Sequence, residues 1–308
     1  MKLKRQPISI LCYDRKYAKN NCYISQIIGI LNEHFDVKLF SLKSITEKSR
    51  VYRKGSPVIS LLQMRHLVTK SEQITRFLMD SPLTVYDQDP WESFIDEGSI
   101  NGSYKIITES MNVKGFWNTS KWWTNFVEGE GFNSTFVQMG IAPKYITRGL
   151  EWNKRDSTPF FQGSLHEYRI NFFNDINDIG LDVNLRKSTN YKKFLKNLRS
   201  QRFFLHTSHP GWEIYGKTYC VNCCWIKDIE AASQGCFSIR NIDAEYADTK
   251  IDRIPSIITY KSINEIPNLI NKIENLSSIE INQITNKSLD AIRSNYSWNQ
   301  LIDSAFNI

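Results

Sequence analysis

No apolar stretch in this 308-residue chain approaches the roughly 18 to 20 residues that cross a bilayer. The basic tip of MKLKRQPISILCYD leads into an apolar run too short for a secretory signal. Both absences lead to the expectation of a cytoplasmic protein whose six cysteines are mostly reduced. Internal repeats, low-complexity blocks and sustained heptads are also missing, which argues against repeat arrays and long coiled coils. The cluster Cys220, Cys223 and Cys224, with Cys236 further on, has no second CxxC or HxxxH pair to complete a structural zinc site. His206 and His209 fall on a strand end and the loop after it, a placement that does not direct them at the cysteines. No metal and no other cofactor is expected. No nucleic-acid motif or aromatic–basic platform is found either, so nucleic acid is not expected as a partner.

What is present suits a globular enzyme-sized chain. Hydrophobic residues make up 41% and aromatics 13%, enough for real cores, and the length suggests two domains of about 150 residues. A formal charge of +7 favours anionic partners.

ISILCYD reads as a buried strand, NCYISQIIGILNEHF as a helix with Ile24, Ile27, Ile28 and Leu31 on one face, and DVKLFSL as a second strand. Strand, helix and strand at this spacing open a parallel α/β sheet. SPLTVYDQDP, KIITES and GFWNTS read as further strands, KWWTNFVEGEG as a helix and STFVQMG as a strand. The alternation resumes at FFQGSL and runs through RFFLHTS, WIKDIEAASQG, CFSIR and SIITY to a helical tail. The expected architecture is α/β, with two facing Rossmann-type domains. Residues 1–145 form the first, 146–158 a polar, basic linker, 159–290 the second, and 291–308 a closing helix that returns to the first.

Candidate chemistry concentrates at three places. In WIKDIEAASQG, Asn222 is placed to cap the helix N-terminus, whose free N–H groups suit a diphosphate. Lys227, Glu230 and Gln234 share a polar face, where Glu230 either accepts hydrogen bonds from a ribose diol or is simply solvated. Just before it, HPGWEIYG supplies His209, Trp212, Glu213 and, after Gly216, Lys217, as a loop facing pyrophosphate or sugar or as an ordinary surface loop. At the carboxyl ends of the first domain's strands, Asp14, Asp87 and Asp89 are candidate general bases, with helix capping the alternative for Asp89. A basic helix, YKKFLKNLRSQ, carries Lys192, Lys193, Lys196 and Arg199. It reads as a solvated face or as a peripheral contact with an anionic membrane leaflet.

WIKDIEAASQGCFSIRN, a helix and strand near the end of a second Rossmann-type domain, resembles the donor-binding segment of GT-B glycosyltransferases. Where those enzymes commonly show Phe-Glu-Ala-x-Ala-x-Gly, this chain reads Ile229-Glu230-Ala231-Ala232-Ser233-Gln234-Gly235, which keeps the Glu-Ala-x-x-x-Gly core. FFQGSLHEYR, with Gly163 and Ser164, resembles the strand and turn that open the family's C-terminal domain. FVQMGI resembles the end of its N-terminal domain, and RSNYSWNQLIDSAF its closing helix. One departure stands out: where retaining members carry a first glutamate seven residues before the second, this chain has Asn222. The resemblance implies transfer of a sugar from a nucleoside-diphosphate sugar to a hydroxyl of a glycan, lipid-linked or small-molecule acceptor. The second domain would hold the donor, with Lys217, Lys227 and Arg240 as cations for the leaving diphosphate. A non-catalytic two-domain sensor for a small anionic ligand is the alternative.

Overall fold

The computed structural model describes residues 5–16, 22–46, 49–51, 54–208, 211–219, 226–242 and 249–298. The chain forms two compact units. The first holds the described residues up to Gln138 together with Trp212–Tyr219; the second holds Met139–Gly211 and the described residues after Tyr219.

In the first unit, PISILC forms strand β1 (Pro7–Cys12), buried at every position after Pro7. That continuous apolar pattern belongs to a strand covered on both faces. Helix α1 (Cys22–His34) turns Ile24, Ile27 and Leu31 into the core. Then come β2 (Asp36–Ser41), β3 (Val58–Ser60), α2 (Met64–Thr69), α3 (Ser71–Leu78) and β4 (Leu83–Asp87). They are followed by α4 (Ser103–Ser110), β5 (Val113–Asn118), α5 (Lys121–Gly129) and β6 (Ser134–Phe136). The strands are parallel in the order β2-β1-β3-β4-β5-β6. The winding reverses between β1 and β3, and open α/β sheets bind ligands outside the strand ends at such a reversal.

KIITES is helical rather than extended. Tyr104 and Ile107 are buried while Lys105, Ile106 and Glu109 are exposed, a helical period that the short β-branched run conceals. The strand next to β4 is instead supplied by VKGFWN.

The second unit contains β7 (Phe160–Gln162), α6 (Glu167–Asp178), β8 (Asn184–Arg186), α7 (Tyr191–Arg199) and β9 (Phe203–His206). A hairpin intervenes in the sequence, β10 (Trp212–Ile214) and β11 (Lys217–Tyr219). The unit resumes with α8 (Ile226–Ser233), β12 (Phe237–Asn241), β13 (Ile257–Tyr260), α9 (Ile266–Glu274) and α10 (Ser278–Asn295). The sheet order is β13-β12-β9-β7-β8, again parallel, and the winding reverses between β7 and β9. Phe160, Phe161, Phe203, Phe204 and Phe237 centre its core.

Three expectations about organisation change. Residues 146–158 are no free linker. Arg155 reaches the carbonyls of Leu150 (2.8 Å), Gln201 (3.3 Å) and Gly235 (2.6 Å), and Trp152 packs edge-on against Phe203 and Phe237. A polar, basic stretch can be built into a domain when one buried guanidinium gathers this many carbonyls. Second, WEIYGKTY is not a loop of the second unit. It is a hairpin of the first, turning on Tyr215 and Gly216 with φ of 51° and 69°, the twist of a two-residue type I′ turn. Its docking is aromatic: Trp212 stacks on Trp91 at 6.3 Å and Tyr219 lies 5.4 Å from Trp122. Third, the expected start of the closing helix at 291 falls inside α10, which begins with a Ser277–Glu280 capping box and runs unbroken to Asn295. The return to the first domain, along with residues 299–308, lies outside the described residues.

Candidate functional site

At the first reversal, β1, β3 and β4 end around a cavity of about 320 Å³ lined by Tyr13, Arg65, His66, Asp87, Asp89 and Glu92 among others. The two aspartates anticipated there have different environments. Asp87 accepts hydrogen bonds from the Tyr104 hydroxyl at 2.8 Å and from the Asp89 main-chain N–H at 3.2 Å. Burial pushes it up to about 6, although Tyr104 opposes the shift. Asp89 occupies the cap position of the 3-10 turn Pro90–Ser93, yet its side chain caps nothing. Burial, with Asp87 and Glu92 nearby, pushes it up to about 7. Of the two, Asp89 therefore has the free carboxylate and the affinity suited to a general base near neutrality. Asp14 is committed elsewhere: it accepts from the Lys16 main-chain N–H at 2.6 Å and pairs with Lys43 at 3.2 Å.

His66, which the sequence reading passed over, stacks on Tyr13 with ring centres 4.5 Å apart. Burial and the neighbouring Arg65 hold it below the usual histidine range.

At the second reversal the chain passes from β7 through Gly163 and Ser164 into α6. A Cβ on Gly163 would crowd the Phe161 ring at 3.1 Å, and Lys227 Cε lies 3.8 Å away at ordinary contact distance, which places Lys227 beside this turn. The Lys227 ammonium sits over the Phe194 ring at 4.3 Å. In the first turn of α6, Arg169 is 7% exposed and donates to the Ser164 carbonyl at 2.9 Å. Its Nε is buried with no hydrogen-bond partner, and no carboxylate among the described residues pairs with it. A cation in a helix's first turn opposes the helix dipole. That placement is the signal the sequence carries for Arg169.

Helix α8 is buried at every residue except the half-buried Lys227, rather than polar and exposed on one side, because it is packed among the sheet, α7 and α10. Glu230 is only 2% exposed, so its solvated reading is overturned. It is hydrogen-bonded to Tyr191, and burial pushes it up to about 7. Asp228 lies between His206 Nδ1 at 3.1 Å and Arg240 at 2.9 Å, and accepts from Ser238 at 2.6 Å. Burial alone would raise Asp228, but His206 and Arg240 hold it down at about 2. Burial keeps His206 below its ordinary range. The charge of Arg240 is thus matched inside the protein, which corrects its expected role as a diphosphate cation. Gly235 also moves. It lies at the start of β12, the opposite sheet edge from Gly163, where its φ of 71° and missing Cβ let Arg148 and Arg155 pass close by.

Trp212, Glu213 and Lys217 lie on the hairpin of the first unit, with Glu213 and Lys217 exposed. Asn222, His209, Cys220, Cys223 and Cys224 lie outside the described residues. Cys236 is buried, a free thiol that donates to the Arg202 carbonyl at 3.4 Å. Among the described residues no helix is long and apolar enough to cross a membrane.

No protein-family profile matches the sequence, and no curated protein matches it. Solved structures do. A sucrose-phosphate synthase from Thermosynechococcus elongatus is similar over 98% of both chains at 9% identity, with a TM-score of 0.61. HepE of Anabaena, in complex with UDP and glucose, is similar over 98% of this chain and 99% of its own, at 12% identity and a TM-score of 0.60. An alpha-glucosyltransferase in complex with UDP-glucose and DNA containing an abasic site covers 99% of each chain at 9% identity, TM-score 0.61. With two parallel Rossmann-type sheets, this similarity over nearly the full length shows that the chain has a GT-B glycosyltransferase-like fold.

Proposed function

We propose that the protein is a glycosyltransferase that moves a sugar from a nucleoside-diphosphate sugar to an acceptor hydroxyl. The observation that carries this reading is Arg169, a buried guanidinium without a carboxylate partner at the β7/β9 reversal, with Lys227 near Gly163 at the same strand end. A buried cation without an internal anion is costly, and a diphosphate bound there offsets that cost. The two cations then stabilise charge on the leaving diphosphate, so this step needs no bound metal. Glu230, unlike Asp228, is in no ion pair among the described residues and is the carboxylate of α8 left to accept hydrogen bonds from a ribose diol. In the first unit, Asp89 deprotonates the acceptor hydroxyl. The similar structures that hold UDP or UDP-glucose make uridine the base to try first.

The test is a thermal-shift panel of UDP-, GDP-, dTDP- and CMP-sugars, with release of free nucleoside diphosphate measured in parallel. We expect a UDP-sugar to raise the melting temperature, because a ligand of the folded state alone stabilises it. Slow release of UDP should accompany the shift. Arg169→Met should lower that affinity by about 10-fold or more, the loss of a charge-assisted hydrogen bond. A shift without any release would favour the two-domain sensor, and no shift with any of the four would overturn the reading.

A further inference from the structure

The cavity at the β1/β3 reversal is divided by charge. At its β4 end, the charges that act on Asp89 are the carboxylates of Asp87 and Glu92. At its α2 end, the charge that acts on His66 is the guanidinium of Arg65. Arg65 is exposed and lines the cavity, and among the described residues its guanidinium has only the Gln63 side-chain oxygen, at 2.9 Å, as a partner. Next to Arg65 in sequence, His66 is stacked on Tyr13, and the Lys43 ammonium over that Tyr13 ring at 4.8 Å is already paired with Asp14 at 3.2 Å. Among the charged residues that line the cavity, Arg65 is therefore a cation with no carboxylate partner among the described residues, while Asp87, Asp89 and Glu92 line it from the end of β4 and the turn after it.

A uniformly neutral polyol would find no use for the Arg65 end, and a uniformly anionic ligand would be repelled from the Asp89 end. A ligand with hydroxyls at one end and an anion at the other matches both. The space is near the lower limit for small-molecule sites, about 300 Å³, which suits a monosaccharide with one substituent.

We propose that this cavity takes a polyol bearing a phosphate or carboxylate, with the anion against Arg65 and a free hydroxyl at Asp89. Its role as the acceptor rests on the glycosyltransferase reading above; its selectivity for such a ligand does not. Arg65 thus determines specificity, and Asp89 is the group that meets the reacting oxygen. On transfer, the hydroxyl proton passes to Asp89, the oxygen forms the new glycosidic bond, and the donor's bond to the diphosphate breaks.

The experiment measures binding of glucose, glucose 6-phosphate and glucuronate to the full chain by calorimetry, without donor, at low and high salt. Glucose 6-phosphate should bind at least 10-fold more tightly than glucose, the size of a charge-assisted hydrogen bond. The advantage should shrink with salt and largely disappear in Arg65→Gln. Glucuronate separates the sources of charge: affinity close to that of glucose 6-phosphate means that a carboxylate suffices, and affinity close to that of glucose means a phosphate site. Equal affinity for all three ligands, or a preference that survives Arg65→Gln, would overturn the proposal. UDP-sugar release by the unaltered protein, assayed separately, reports on the donor reading, so either can fail alone.

Discussion

Asp89 in the first unit is a half-buried carboxylate just past a strand's carboxyl end, and Asp228 in the second is a fully buried one on the helix behind such an end. The protein keeps them in opposite ways. Asp228 has His206, Arg240 and Ser238 around it and stays ionised to about pH 2. Asp89 has other carboxylates nearby, caps no helix N–H, and keeps its proton to about pH 7. A carboxylate surrounded by donors is part of the scaffold, because its charge is already in use. One left among like charges has been kept available at a cost in stability, which is how reactive groups are commonly found. The same contrast separates Arg240, paired with a carboxylate, from Arg169, whose partners are the Ser164 carbonyl and Tyr168.

The sharpest way to break the comparison is to remove each charge. Asp228→Asn leaves Arg240 buried without its anion, and breaking a buried pair costs about 3–5 kcal/mol. Chemical denaturation should show a loss of that order. Asp89→Asn at pH 8 should leave stability unchanged or raise it. The sign follows from linkage: the folded-state value of Asp89, about 7, lies above its ordinary 3.8. The wild type therefore loses stability as pH rises between those values, and the amide does not. Transfer should nonetheless fall by roughly 100-fold or more in Asp89→Asn, the usual contribution of a general base. In the wild type the rate should rise with pH through about 7. Equal stability losses in the two variants would erase the distinction between scaffold and reagent.

How much of this was legible beforehand differs by residue. Asp87 and Asp89 follow a clear strand, and Glu230 falls in a recognisable pattern, so chain order alone located them. Their burial was not legible. Lys227, Glu230 and Gln234 share a helix face, but whether that face meets water depends on α7 and α10, which are distant in sequence. Arg169 precedes the apolar pair Phe172 and Phe173 in a helix that reads as ordinary packing. The hairpin was invisible for another reason: its strands are three residues each, its turn is Tyr-Gly rather than Asn-Gly, and its aromatic partners Trp91 and Trp122 lie about a hundred residues upstream.

Glu230→Gln sharpens the comparison with a middle-sized effect. The folded value of Glu230, about 7, lies above its ordinary 4.5, so the wild type loses stability as pH climbs from about 4.5 to 7. The variant, titrating nothing there, should gain on the wild type over that window. If the ionised carboxylate holds a ribose diol, UDP affinity in the wild type should rise with pH through about 7. In the variant it should be flat and about 10 to 150-fold weaker above that pH, the equivalent of roughly 1.5–3 kcal/mol. Weaker binding with intact melting separates a ligand contact from a structural one; binding that matches the wild type at pH 8 removes Glu230 from the site.

The smallest effect on the fold is expected at helix α7. Its apolar residues Phe194, Leu195 and Leu198 belong to the core of the second unit, so that face is not free to enter a bilayer. Arg199 is committed as well, donating to the Gln234 side chain at 2.8 Å. Lys192, Lys193 and Lys196 remain exposed, and any contact they make with anionic lipid is electrostatic alone, at most about 1 kcal/mol each. Converting these three lysines to glutamine should shift folding stability by less than about 0.5 kcal/mol, as exposed changes do. Cosedimentation with phosphatidylserine vesicles should weaken at low salt in the triple variant, and for the wild type it should vanish near 0.5 M salt, where the Debye length is only a few ångströms. Vesicle binding that resists both salt and the triple substitution would require an apolar anchor elsewhere and would return α7 to the role of a solvated outer helix.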